Sequence, residues 1–330
     1  METLLGMLRA AGDATRLRLL LLLTKAELTV SELTQILGQS QPRVSRHLKL
    51  LCDAGLLERF KEGAWVFYRA ADSGSEAELA RALASLADAE NDPVLLDDKR
   101  RLDQVRAARA HEASAYFRAN APQWERIRSL HVPEGDVEAA IVKLLGRQPL
   151  DLVLDAGTGT GRMLELLAPY IKRGIGIDVS PDMLAIARDK LGQAGAFNCQ
   201  VRRGDVYRLP FADGDARSGF DAVLFHQVLH FLDDPQAALR EAVRVLAPGG
   251  RILIADFAPH QLEFLRSDHA HRRLGFSDAE VQSWFKAAGL KAVAAEALAP
   301  RSGAETLTVM VWIGETPGVN ARRKKIETVA

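Results

Sequence analysis

Residues 153–162 read Val-Leu-Asp-Ala-Gly-Thr-Gly-Thr-Gly-Arg, an apolar run that ends in an acid and passes into three alternating glycines. A strand that empties into such a turn lets the backbone approach a bound molecule closely. The free N–H groups of the helix that follows attract its polar parts. The segment therefore points to a βαβ arrangement holding a nucleotide-like ligand. Glycines alone do not name that ligand. A dinucleotide fingerprint places glycine or alanine where Arg162 stands, which disfavours NAD.

From residue 150 onward, apolar runs alternate with helical ones. DLVLDAG, RGIGID, NCQVRRGD, FDAVLFH and GRILIADF read as strands, with helices expected around 162–170, 181–191 and 235–246. That alternation predicts a parallel sheet with helices on its faces, closed by a strand pair in LKAVAAEAL and ETLTVMVWIG. Asp178 ends the second strand, where a carboxylate can accept both ribose hydroxyls; Asp205 ends the third, where one can meet an adenine amino group. Taken singly, either residue reads equally well as a solvated acid at a strand end.

Four segments, Asp-Ala-Gly-Thr-Gly-Thr-Gly, Gly-Ile-Asp, Gly-Asp-Val-Tyr-Arg-Leu-Pro-Phe and Leu-Ala-Pro-Gly-Gly, follow one another in this order. Together they resemble the class I methyltransferases that bind S-adenosylmethionine, over about residues 135–315. The resemblance implies an α/β Rossmann-like domain with S-adenosylmethionine or S-adenosylhomocysteine as cofactor. It implies Asp155 and Gly157 at the amino-acid end of the ligand, Asp178 at the ribose, Asp205 and Val206 at the adenine, and Met183 against the ring. Ala156, Thr158, Gly159, Gly161, Val179 and His226 complete the expected cofactor set.

The first 72 or so residues follow another pattern, short helices and then a hairpin. Asp13 can cap a helix through Leu23, and Ser31 one through Leu37 that Gly38 ends. Ser40 caps the next, with Pro42 in its first turn; Val44, Leu48 and Leu51 face inward while Arg43, Arg46, His47 and Lys49 stay polar. Two helices joined by a tight glycine turn make a helix-turn-helix. LLERF and WVFYRA flank KEGA as a two-stranded wing.

The run QPRVSRHLKLLCDAGLLERFKEGAWVFYRA resembles the ArsR/SmtB winged-helix repressors, and the likeness spans about residues 1–90. It implies a homodimer that sets two recognition helices in successive major grooves of an operator, each wing along a flanking minor groove. Ser40, Gln41, Arg43, Ser45, Arg46, His47 and Lys49 are then candidate groove or backbone contacts, and Lys61 a wing contact to phosphate. Metal-sensing members carry thiolates in an ELCVCDL-type segment, whereas Glu27-Leu28-Thr29-Val30-Ser31-Glu32-Leu33 stands here. With hydroxyls replacing thiolates, soft-metal sensing at that place is not expected.

Between these regions the chain is Ala-rich, charged and helical. Leu79, Leu83 and Leu86 form one stripe, and a long helical run is expected over 94–130, punctuated by Pro93, Pro122, Pro133 and Pro149. Such a segment reads either as a linker or as a dimer interface. The expected organisation is thus a winged helix-turn-helix domain of α+β type at 1–74, a helical dimerisation or linker region at 75–134, the methyltransferase-like domain at 135–315, and a polar tail at 316–330 with a basic cluster.

Composition excludes several classes. Lys plus Arg and Asp plus Glu are 43 each, so no global charge draws the chain to nucleic acid or membrane, and any basic patch is local. Cys52 and Cys199, the only cysteines, lack CxxC spacing, which argues against a disulfide framework or thiolate metal site and fits a reducing cytoplasm. The apolar run at 19–23 is far shorter than the roughly 20 residues a membrane span needs.

The loop after the fourth strand, His226-Gln227-Val228-Leu229-His230, differs from the Asn-Pro-Pro-Tyr type of enzymes that methylate amino groups of bases. His226 and His230 are the candidate catalytic residues, and His260, His269 and His271 lie downstream; a histidine there can act as general base for a small methyl acceptor. The competing reading is structural, with these rings bonded to backbone or to each other. His269-Ala-His271 lacks a third ligand, so no metal is expected. Two functions stand open: a repressor whose second domain binds S-adenosylmethionine or S-adenosylhomocysteine as effector, and a small-molecule methyltransferase whose winged helix regulates or dimerises it.

Overall fold

The computed structural model describes residues 2–62, 65–71, 74–87, 92–120, 134–145, 150–215, 218–299 and 307–318. The wing tip at 63–64, Pro122, Pro133, Pro149, the end of the expected long helix and most of the tail lie outside them. Two compact units are present, Met1–Glu112 and Ala113–Ala330.

The first unit opens with α1 (Glu2–Ala11) and α2 (Ala14–Leu23), where the Asp13 carboxylate accepts the Arg16 N–H at 3.0 Å as N-cap. α3 (Val30–Leu37) is capped not by Ser31 but by Thr29. The Thr29 hydroxyl accepts the Glu32 N–H and the Glu32 carboxylate accepts the Thr29 N–H, a reciprocal capping box. Ser31 falls inside the helix because this pair satisfies two N–H groups at once. Gly38 ends α3 at φ 64°, and Ser40 stands at the N-cap position of α4 (Gln41–Asp53) without a side-chain capping bond; Val44, Leu48 and Leu51 of this helix are wholly buried.

β2 (Leu57–Glu62) and β3 (Trp65–Ala70) form the wing, and β1 (Leu28–Thr29) adds a third strand against β3. In α5 (Gly74–Leu86) the expected leucine stripe is only partly realised. Leu79 and Leu83 pack against the core beside buried Ala77 and Ala80, while Leu86 is 80% exposed on the last turn. α6 (Pro93–Asn120) starts in this unit and crosses the unit boundary. Leu102 and Val105 enter the core, the Arg18 guanidinium grips Asp98 through two 2.6 Å bonds, and Arg109 pairs with Glu32. Asp98 is 4% exposed in its side chain, so only that pairing makes its burial tolerable.

After α7 (Glu134–Leu145), the second unit contains a seven-stranded sheet in the order β6-β5-β4-β7-β8-β10-β9. β4 (Leu150–Ala156), β5 (Ile171–Asp178), β6 (Cys199–Arg203), β7 (Phe220–His226) and β8 (Leu246–Phe257) are parallel. β9 (Lys291–Leu298) and β10 (Val309–Glu315) close the sheet antiparallel. β6 ends at Arg203, so Asp205 lies two residues beyond the strand rather than at its tip. Helices α8 (Arg162–Leu167), α9 (Pro181–Gln193) and α10 (Pro235–Val245) make the crossovers, followed by α11 (Phe264–His269) and α12 (Asp278–Ala287). Apolar cores fill both faces: Phe225, Phe285 and Trp312 belong to one, Val153, Leu224 and Leu253 to the other. Strand order reverses between β4 and β7, and the crevice outside the carboxyl ends at such a switch point is where α/β sheets bind ligands.

Candidate functional site

The glycine loop leaves β4 at that switch point. Gly157 and Thr158 both donate their N–H to the Ile177 carbonyl, at 2.8 and 3.0 Å, pinning the loop to β5. Asp155, 1% exposed, accepts the Thr158 hydroxyl at 2.6 Å. Gly157 has φ 81°, and a Cβ there would lie 2.4 Å from Val228 Cγ2, so the loop after β7 sits directly on it. Gly161, at φ 82°, opens α8 against the Ala187 backbone and side chain of α9.

Asp178 ends β5 with both oxygens engaged: Oδ2 accepts the Gly159 N–H at 2.9 Å and Oδ1 the Ser180 N–H at 2.8 Å. Burial pushes its pKa above the ordinary carboxylate value, against the lowering effect of these backbone donors. Each oxygen keeps a further lone pair for a ligand hydroxyl. Its carbonyl accepts the Gly204 N–H at 3.0 Å, which draws Asp205 and buried Val206 to the same end of the sheet. Asp205 is exposed and accepts the Tyr207 N–H at 2.9 Å. Val179 is 52% exposed beside Asp178; Met183 is buried, on the first turn of α9.

Hydrogen bonds thus join Asp155, Gly157, Thr158, Gly159 and Asp178 around one loop, with Ala156 buried at the end of β4. His226 is half-buried at the end of β7, two residues before Val228, which lies on Gly157. His230 sits deeper. Its ring is 2% exposed, with Nδ1 2.7 Å from Asp256 Oδ1; Asp256 also accepts the N–H groups of Leu229 and Phe257. The pair clamps the loop to β8. Arg162 also has a structural explanation: it binds both Glu138 oxygens, at 2.7 and 2.8 Å, and Glu165 at 3.1 Å.

Sequence reasoning passed over three residues here. Gln227 is buried at φ 49°, a left-handed conformation that costs a non-glycine residue energy, and its Nε2 has no hydrogen-bond partner among the described residues. The buried Thr160 hydroxyl is likewise without a partner. No sequence signal marks either residue. Asp256 did carry one, an acid inside the apolar run ILIADF, since a carboxylate in a buried strand needs a partner. A donor, a hydroxyl and a tight glycine cradle fit an adenosyl amino acid with its charged amino-acid end.

On α4, Ser40, Gln41, Arg43, Arg46 and Lys49 are exposed, while Ser45 and His47 are half-buried, the His47 ring lying 3.7 Å from Asp13. Lys61 is exposed on the wing. Among the described residues no three His, Cys, Asp or Glu side chains converge to hold a metal, and no helix is long and apolar enough to cross a membrane.

Two family models match the chain: residues 13–59 that of the bacterial regulatory protein, arsR family, and residues 154–254 that of the methyltransferase domain. The demethylmenaquinone methyltransferase of Deinococcus radiodurans is 36% identical over 149 residues, covering 43% of this chain and 59% of that protein. The chain spans about half the length of the curated relatives it matches. Among solved structures, a complex of the Haloferax volcanii Trm112 methyltransferase activator with a methyltransferase matches at TM-score 0.50 and 25% identity, over 61% of this chain and 97% of that one. The N-methyltransferase NodS of Bradyrhizobium japonicum, in complex with S-adenosyl-L-homocysteine, matches in fold at TM-score 0.50 and 19% identity, over 62% and 98%. The chain therefore joins an ArsR-type helix-turn-helix to a class I methyltransferase fold.

Proposed function

From that fusion we propose a DNA-binding transcriptional regulator of ArsR type whose methyltransferase domain takes S-adenosylmethionine or S-adenosylhomocysteine as its effector. The observation that carries the reading is the glycine cradle beside Asp178, built in the same chain as a helix that presents Arg43, Arg46 and Lys49 to solvent. Asp178 holds the ribose, Asp205 and Val206 the adenine, and Asp155, Thr160 and Gln227 lie at the amino-acid end. The bound donor supplies an electrophilic methyl group on a sulfonium, while the product lacks both methyl and charge. A site that distinguishes them reports methylation status.

The regulator acts as a homodimer on a double-stranded operator, phosphate contacts setting position and base contacts setting sequence. Replacing Asp178 with Ala tests the assignment by calorimetry: S-adenosylhomocysteine binding weakens by about 1–3 kcal/mol while DNA affinity without ligand stays unchanged. Unaltered ligand affinity would remove Asp178 from the site.

A second reading, methyl transfer to a small molecule, is favoured by one specific feature, the rings gathered around His271 and His269. It also accords with the methyltransferase activity named for the Deinococcus relative.

A further inference from the structure

Two polar pairs tie α4 and the turn before it to the start of α2. Gln39, in that turn, donates from Nε2 to the Thr15 hydroxyl at 3.3 Å. His47, on α4, turns its ring inward: the side chain is 14% exposed, and Nδ1 lies 3.7 Å from Asp13 Oδ1. Sequence spacing put His47 on the polar face with Arg43 and Arg46, yet those two are exposed and this ring is not. A separation of 3.7 Å suits an ion pair and is too long for a hydrogen bond. Nδ1 is sealed from solvent with no hydrogen-bond partner among the described residues. A neutral ring therefore leaves a buried nitrogen unsatisfied, at a cost, whereas a protonated ring presents a charged N–H to a carboxylate.

That carboxylate is an anion. The Arg16 N–H that Asp13 accepts, followed by the charges of Arg16 and His47, holds its pKa below the ordinary value, against the opposing effect of burial. The other charges on the elements packed against α4 are engaged or solvated. On α2, the Arg16 guanidinium binds the Ala10 and Arg9 carbonyls, and Arg18 binds Asp98. On α3, Glu32 is held by Thr29 and Arg109. On β2, Glu58 pairs with Arg69, Arg59 lies by the Tyr68 hydroxyl, and Lys61 is exposed. Glu2 and Arg9 on α1 are exposed, as are Arg43, Arg46, Lys49 and Asp53 on α4 itself. Asp13 is the one carboxylate within ion-pair distance of His47 among the described residues.

Ser40 gives α4 no side-chain capping bond, so the seat of its N-terminal half depends on packing and on these two polar pairs. We propose that His47 is a positioning residue of the DNA-binding helix. Protonated, it pairs with Asp13 and seats the half of α4 that presents Gln41, Arg43 and Arg46; the hold is lost as pH rises. The inference rests on the DNA-binding reading above. It takes His47 out of the groove contacts and makes operator affinity depend on pH, because histidine is the side chain that gains charge between about pH 8 and pH 5.

The test is the anisotropy of a rhodamine-labelled duplex from the promoter of the chain's own locus, titrated with the full chain at about pH 8 and about pH 5.5. The gain in affinity on acidification is expected to be about threefold larger in the wild type than in His47→Gln, the size of a part-exposed ion pair. Asp13→Asn keeps a side-chain oxygen to cap α2 and removes the charge, and is expected to show the same reduced gain. At the higher pH all three proteins bind alike; circular dichroism checks their helices, and His47→Asn stands in for a variant that loses them. Salt slopes at the lower pH are equal in wild type and His47→Gln, since the ring touches no phosphate; a direct contact steepens the wild-type slope by about one. An equal gain in wild type and His47→Gln overturns the inference. A full gain retained in Asp13→Asn, or a steeper wild-type slope, means a ring acting on DNA itself and overturns the positioning role. A wild type that binds no DNA at either pH removes the DNA-binding reading itself.

Discussion

Gly157 carries more constraint than any other single position in the ligand crevice. At φ 81° and with Val228 Cγ2 only 2.4 Å from where a Cβ would stand, Gly157→Ala meets both backbone strain and a clash. The expected result is a loss of about 1–3 kcal/mol in stability by denaturant titration together with weaker S-adenosylhomocysteine binding. The need for glycine was legible in the sequence; the identity of its neighbour was not, because Val228 is far along the chain. His230 and Asp256 share this limit, lying 26 residues apart on different elements. Ser31 and Thr29 show a finer one. Both can cap a helix, and the choice fell to Thr29 because Glu32 stands three residues after it. Cys199 offers a pH test. Burial pushes its thiol up to about 11 from 9.0, so the neutral form is favoured in the folded chain. Its contribution to stability is fully present below pH 9.0 and is lost as pH rises through about 11. Iodoacetamide should therefore label Cys199 much more slowly in the folded protein at pH 8 than in urea. Equal rates would contradict the burial.

At the scale of elements, α4 was readable because its apolar spacing, its N-cap and its proline agree, and all three inward residues are wholly buried. The polar side is then fixed by default. Arg46 is exposed on it, and Arg46→Ala is expected to weaken operator binding and lower the salt slope by about one if the contact is to phosphate. Gel-shift titrations at several salt concentrations measure this, and an unchanged affinity would displace α4 from the groove. β1 was not readable, since two residues give no periodicity and their strand character comes only from pairing with β3. The leucine stripe of α5 failed at Leu86 for a related reason. Helical spacing identifies a face, but it does not say how far along the helix the covering element extends. The ends of β7 and β8 likewise show where histidines cluster, though not which ring is buried.

For the whole molecule, four ordered motifs and the QPRVSRHLKLL run were sufficient to read two fold types from the sequence, because each places chemistry at a strand end or on a helix face. The cluster of aromatic and histidine rings was not readable. Tyr116 and Phe117 precede the first strand of the sheet by more than thirty residues, and only tertiary folding brings them to His269 and Phe231. If the chain is a regulator, its two ligands must be thermodynamically linked. A ligand that alters DNA affinity has its own affinity altered by DNA by the same factor. The most direct measurement is calorimetric titration of the full chain with S-adenosylhomocysteine and with S-adenosylmethionine, each with and without DNA from the promoter of its own locus. The account predicts that at least one of the two binds with an affinity that changes when DNA is present, matched by an equal change in DNA affinity. Identical ligand affinities with and without DNA would contradict it.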